Sequence, residues 1–136
     1  MTEEKKFTCA LSSLDATRTF VEEFSLRHGV NASPVAELVL AVNEAVTNII
    51  EHGRIENPDA VYSVEMEYNP AELSVTIRDG GREYDPNSLR TATSGNDIKK
   101  RRPRSGMGVY LIRQLVDGVI YHRNGGENVL KFVKNL

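Results

Sequence analysis

Apolar positions recur along this chain in two periods, and the switches between them outline its elements. Phe7 to Leu11 reads as a short strand. Over Leu14 to His28 the spacing of Leu14, Phe20, Val21, Phe24 and Leu26 predicts a helix, with Gly29 as its C-terminal stop. Ser33-Pro34 opens a second helix, with Ser as N-cap and Pro at the first helical position. Within it Val35, Leu38, Val39, Val42, Val46 and Ile49 cluster within roughly 80° of one another, at about 100° per residue. Glu37, Glu44 and Asn48 fall on the opposite side. One face therefore suits a core and the other is polar, and Gly53 is the expected end.

The period then shortens to two. Tyr62, Val64, Met66 and Tyr68 alternate with Val61, Ser63, Glu65 and Glu67, a half-buried strand. Asn69-Pro70 marks a turn, and Leu73, Val75 and Ile77 form the returning strand, which runs into Asp79-Gly80-Gly81. Residues 82–105 have no periodicity, and a loop of that length in a small domain is usually functional or disordered. From Gly106 a helix carries Val109, Leu111, Ile112, Leu115 and Val116. Val119 to His122 and Val129 to Val133 close the chain as a hairpin across Asn124-Gly125-Gly126. The order β-α-α-β-β-loop-α-β-β predicts an α+β two-layer sandwich. Its mixed, mostly antiparallel sheet would be covered on one face by three helices.

With 136 residues the chain suits one domain, residues 1–136, with a real core. A formal net charge of -2 gives no general basicity, so direct nucleic-acid binding is not expected. Cys9 is the one cysteine and cannot form an internal disulfide, which fits a reduced cytoplasmic setting. Met1 to Lys6 has no apolar run behind it and does not read as a signal peptide. No stretch reads as the roughly 20 apolar residues a membrane span needs. His28, His52 and His122 have no metal-ligand spacing and read as surface or helix-end residues.

Three short motifs carry chemistry. Glu44 and Asn48 stand four residues apart on one helical face. A carboxylate there can accept a proton from a hydroxyl or a water, and an amide oxygen suits Mg²⁺, which takes few protein ligands and keeps waters and phosphates. The plain alternative is a solvated helix face. Asp79-Gly80-Gly81 is either a turn or a base subsite, its carboxylate accepting from an adenine amino group and Gly81 allowing close backbone approach. Gly106-Met107-Gly108 is either loop punctuation or a phosphate cradle at a helix N-terminus. Lys99, Lys100, Arg101, Arg102 and Arg104 precede it. They are either a solvated charge run or part of a lid with one basic residue reaching the γ-phosphate.

In this order and spacing the motifs resemble the ATP-binding domain shared by histidine kinases, DNA gyrase and mismatch-repair ATPases. Within that superfamily the chain is most similar to the small anti-sigma-factor serine kinases, over Phe7 to Lys134. Leu40 to Asn48 with His52 matches the N-box. Ile77-Arg78-Asp79-Gly80-Gly81 through Tyr84-Asp85-Pro86 matches the first glycine box, and Gly106-Met107-Gly108-Val109-Tyr110-Leu111-Ile112 matches the second. Two positions depart from the pattern. Glu83 stands where the fuller first box has a second glycine, and Asn128 stands where many relatives carry Thr.

The resemblance implies roles for particular residues. Glu44 would be the general base and Asn48 the Mg²⁺ ligand. Asp79 and Gly81 would bind adenine, and Gly106, Met107 and Gly108 the phosphates. Arg104 would assist from an ATP lid at about 87–105. The implied function is an ATP-dependent protein serine/threonine kinase. It would phosphorylate an anti-anti-sigma partner and bind a sigma factor; family members often dimerise, so a homodimer is within the expectation. The alternative is a non-catalytic ATP-binding module that switches partner binding. A histidine-kinase catalytic fragment fits less well, because no helical hairpin with an acceptor histidine precedes the motifs.

Overall fold

Alternating burial along the strands organises the molecule around one sheet. The computed structural model describes residues 1–56, 59–81 and 112–136, with the backbone alone for 52–56. The elements are β1 (Thr2–Thr8), α1 (Ser13–Arg27), α2 (Ala32–Glu56), β2 (Val61–Asn69), β3 (Glu72–Asp79), β4 (Gly118–Asn124) and β5 (Glu127–Asn135). Residues 112–115 are also helical. They lie within the third helix expected from Gly106, whose start is outside the described residues. The sheet order is β1-β2-β3-β5-β4, and every neighbouring pair is antiparallel. The expected parallel component is therefore absent among the described strands: β3 returns beside β5, the far strand of the closing hairpin, which enters in the opposite direction.

Tyr62, Val64 and Met66 of β2, Leu73, Val75 and Ile77 of β3, and Leu130 and Phe132 of β5 face the helices and are buried. Phe20, Val21 and Phe24 of α1 and Leu38, Val42, Val46 and Ile50 of α2 fill the other side of the core. The opposite sheet face is charged; there Arg78 pairs with Glu4 at 3.3 Å and Glu65 at 3.1 Å. Such half-exposed pairs add little stability.

Three boundaries differ from the sequence expectation. β1 starts at Thr2 and ends at Thr8, instead of spanning Phe7 to Leu11. It is an edge strand whose one buried residue is Phe7, and its acidic residues find cations across the fold, Arg27 on Glu3 and Arg78 on Glu4. α2 begins at Ala32, so the Asn31 carbonyl receives the first bond, from Val35, at 3.5 Å. Pro34 still falls in the first turn, where its missing N–H is not needed. The helix also continues through Gly53 to Glu56, two residues ahead of Pro58. A helical glycine costs only about 1 kcal/mol, which the buried turns before it offset.

The expected stop at Gly29 is a Schellman motif. Gly29 has φ +71°, its N–H bonds Leu26 O at 3.0 Å, and Val30 N–H bonds Ser25 O at 3.1 Å. Asn69 Oδ1 receives Ala71 N–H and Glu72 N–H at 2.8 and 3.0 Å, which closes the β2–β3 turn. Gly125 and Gly126, at φ 58° and 80°, make the two-residue β4–β5 turn, whose geometry needs positive φ twice.

α2 overturns one sequence reading: over Ala32–Glu51 it is long and apolar enough to cross a membrane by length and composition. Half of that stretch is buried inside the fold. Its apolarity is that of a helix packed against a sheet, with Leu38, Val46 and Ile50 fully covered.

Candidate functional site

Asp79 ends β3 in phase with Leu73, Val75 and Ile77, so strand alternation drives its carboxylate toward the helices and not toward water. It is 8% exposed. Asp79 Oδ1 accepts from Gly81 N–H at 2.9 Å and from Asn128 Nδ2 at 3.2 Å. Asp79 Oδ2 is buried and has no hydrogen-bond partner among the described residues. A buried carboxylate oxygen without a donor is costly and calls for a reason. Here the reason is a cleft of about 400 Å³, lined in part by Asp79, Gly81, Cys9, Tyr62 and Ile49. That volume lies within the range of small-molecule sites, roughly 300–1,000 Å³.

Gly81 serves this geometry in a way the sequence did not show. A Cβ on Gly81 would sit 2.9 Å from Asp79 Oδ1, whereas a Cβ on Gly80 would meet nothing within 4 Å. The second glycine of the motif therefore lets the chain fold back onto the carboxylate.

α2 brings Ile49 to the cleft. Asn48 precedes Ile49, and Glu44 lies one turn earlier; both are half-buried, which argues against a fully solvated face. Neither makes a hydrogen bond or ion pair among the described residues, and neither lines the cleft beside Asp79. The structure thus gathers Asp79 and Gly81 at one subsite and leaves Glu44 and Asn48 on the adjoining helix. Arg104, Gly106, Met107 and Gly108 lie outside the described residues, as does the expected lid at 87–105. Among the described residues there is no group of three or more His, Cys, Asp or Glu that could hold a metal. Mg²⁺ needs none, since one amide oxygen with waters and phosphates satisfies it. Asn48 fits that demand by donor type.

Two further groups shape the cleft. Cys9 is 4% exposed, and burial first, then the Asp79 charge, push its thiol above the ordinary value of 9.0. The Tyr62 hydroxyl is raised chiefly by burial, opposed by its hydrogen bond with Thr17 Oγ1 at 2.7 Å. Beyond Asp79, Asn128 is fully buried, and its Oδ1 accepts from Tyr121 Oη at 2.6 Å and Arg123 Nη1 at 3.0 Å. Sequence reasoning had Asn128 only as a departure from a family pattern and missed Tyr121 and Arg123. The signal was present: Asn128 is in phase with Leu130 and Phe132, a polar residue on an apolar face.

The chain matches the Histidine kinase-like ATPase domain over residues 7–134, and it belongs to that family. It is similar to the serine-protein kinase RsbW of Bacillus cereus (strain AH187), 31% identical over 107 residues, 76% of this chain and 66% of that protein. RsbW of Bacillus anthracis matches at the same identity and coverage. The chain thus spans just under two thirds of the length of these relatives. Among solved structures, the RsbU and RsbW domains of a Mycobacterium tuberculosis protein superpose with a TM-score of 0.65 at 15% identity, covering 98% of this chain and 32% of that one. A chain of the Pseudomonas aeruginosa SiaB–SiaC complex is a second match, TM-score 0.62 at 10% identity, covering 98% of this chain and 89% of that one. Those two likenesses show the fold.

Proposed function

We propose that this chain is an ATP-dependent protein serine/threonine kinase that acts as an anti-sigma factor. The observation that carries the ATP reading is Asp79 Oδ2, a buried acceptor aimed at no protein donor among the described residues and bordering a cleft of suitable size. An adenine amino group supplies the missing donor. Similarity to RsbW serine-protein kinases supports phosphoryl transfer to a protein hydroxyl.

In this reading Asp79 and Gly81 seat the base, Asn48 holds Mg²⁺, and Gly106, Met107, Gly108 and Arg104 meet the phosphates, with residues 87–105 as lid. Mg²⁺, when bound, neutralises phosphate charge. Glu44 takes the proton from the acceptor hydroxyl as that oxygen forms a bond to the γ-phosphorus. The bond from the γ-phosphorus to the bridging oxygen breaks, and ADP leaves with the electron pair. Little covalent work falls to the protein, so positioning and charge stabilisation carry the rate. The acceptor would be an anti-anti-sigma protein and the restrained partner a sigma factor, in a cytoplasmic setting.

The test is ADP release from Mg-ATP with and without an anti-anti-sigma acceptor protein. Acceptor-dependent ADP release with stoichiometric phosphoserine or phosphothreonine supports the kinase. ATP binding without consumption in either condition supports the non-catalytic switching module instead, and no ATP binding overturns both.

A further inference from the structure

Asp79, Asn128 and Arg123 stand side by side in one register row across β3, β5 and β4. Arg123 has only donors to offer. Its Nη1 contacts Asn128 Oδ1 at 3.0 Å and Gly81 O at 2.9 Å, and its Nη2 contacts Gly126 O at 3.3 Å. Tyr121 Oη points at the same Asn128 oxygen from 2.6 Å. Two donors on one atom fix the amide with its oxygen toward β4. The amide NH₂ is thereby turned toward β3, where it meets Asp79 Oδ1 at 3.2 Å and Gly81 O at 3.5 Å. With Oδ1 taken twice, by Asn128 and by Gly81 N–H, the carboxylate is left with Oδ2 as its free acceptor.

We infer that Asn128, oriented by Arg123, is a positioning residue that sets which oxygen of Asp79 meets the base, and so sets the preference for adenine over guanine. This rests on the ATP reading above. Polarity passes along the row in one sense: donor-only guanidinium, amide oxygen, amide NH₂, carboxylate Oδ1, and an unpaired Oδ2 at the end. A network built only for stability would not stop one atom short of satisfying its last member. A hydroxyl at position 128 could not accept from β4 and also donate twice to β3, so the device needs the amide.

The experiment measures ATP and GTP dissociation constants for wild type, Asn128→Asp, Asn128→Leu and Arg123→Met, each checked for a cooperative melt. Asn128→Asp keeps the shape but sets an oxygen against Asp79 Oδ1. Asn128→Leu keeps the bulk without the amide. Arg123→Met, at an exposed position, removes the donor-only partner and leaves the Tyr121 hydroxyl, which can accept as well as donate and so no longer fixes the sense of the amide. Each should weaken ATP by about tenfold or more, the usual scale for losing a bond to a charged group, while GTP changes less, so the ATP:GTP preference narrows. A merely structural role would weaken both nucleotides equally. A wild-type preference for ATP that persists unchanged in the folded variants overturns the positioning role alone. A wild type that binds neither nucleotide overturns the ATP reading with it. Should the buried substitutions unfold the protein, the preference of Arg123→Met decides.

Discussion

Replacing Gly81 by Ala should damage the protein far more than replacing Gly80, although the two are neighbours in one motif. In Gly81→Ala the new Cβ would lie 2.9 Å from Asp79 Oδ1, while the same addition at Gly80 enters open space. An ordinary contact needs at least about half an ångström more, in a carboxylate pinned by Gly81 N–H at 2.9 Å and Asn128 Nδ2 at 3.2 Å. Rotating Asp79 away stretches both bonds. Hydrogen bonds to charged groups are each worth about 1.5–3 kcal/mol, so partial loss of two gives a destabilisation on the order of 2 kcal/mol. For a chain of this size that is a fall in melting temperature of roughly 5–10 °C. Gly80→Ala should stay within about 1 kcal/mol of wild type, with a gain if the chain's unfolded freedom is what changes. Thermal unfolding of the two variants, with and without Mg-ATP, is the assay. The stabilisation by nucleotide should shrink in Gly81→Ala and persist in Gly80→Ala. Equal melting temperatures and equal nucleotide shifts would refute the steric reasoning and the link between Gly81 and the carboxylate.

Asp79→Asn puts an amide NH₂ where Oδ2 stood, facing the adenine amino group; ATP should weaken by roughly ten- to a hundredfold, and GTP should compete as well as ATP, which an unchanged preference would contradict. Asn48→Ala should abolish most of the Mg²⁺ dependence of ATP binding, seen by titration with and without the metal; identical wild-type and variant curves would remove Asn48 from the metal. Both Cys9 and Tyr62 have raised values in the fold, so their neutral forms are favoured there. Their contribution is present below the unfolded values and lost as pH rises through the folded ones. The melting temperature should therefore fall above about pH 9, and Cys9→Ala should soften the first part of that fall.

Where one face of an element is buried, the sequence was legible. From Tyr62 to Met66 and from Leu73 to Ile77 apolar and polar residues alternate because the helices cover the apolar face, although Ser63 and Ser74 of the other phase are buried too; α2 shows its apolar stripe for the same reason. β1 was misplaced because an edge strand with one buried residue carries no such period; its register depends on β2 and on charges contributed by Arg27 and Arg78. The end of α2 was misjudged because Gly53 was read by type, while the packing of the preceding turns decided. At the site, Asp79 and Gly81 could be read from a local motif. Asn128 was legible only as a polar residue in phase with Leu130 and Phe132; its bonds to Arg123 and Tyr121 across the β4–β5 hairpin, and to Asp79 on β3, depend on a strand register that the pattern does not give.

The central claim is phosphoryl transfer with Glu44 as base, and single-turnover transfer from γ-labelled ATP to the acceptor protein tests it most directly. Wild type should place label on a serine or threonine of the acceptor. Glu44→Gln, which keeps shape and removes the proton acceptor, should bind Mg-ATP with wild-type affinity and transfer label about 10²–10⁴-fold more slowly. Transfer by Glu44→Gln at the wild-type rate would contradict the account and return Glu44 to the role of a half-buried helix residue.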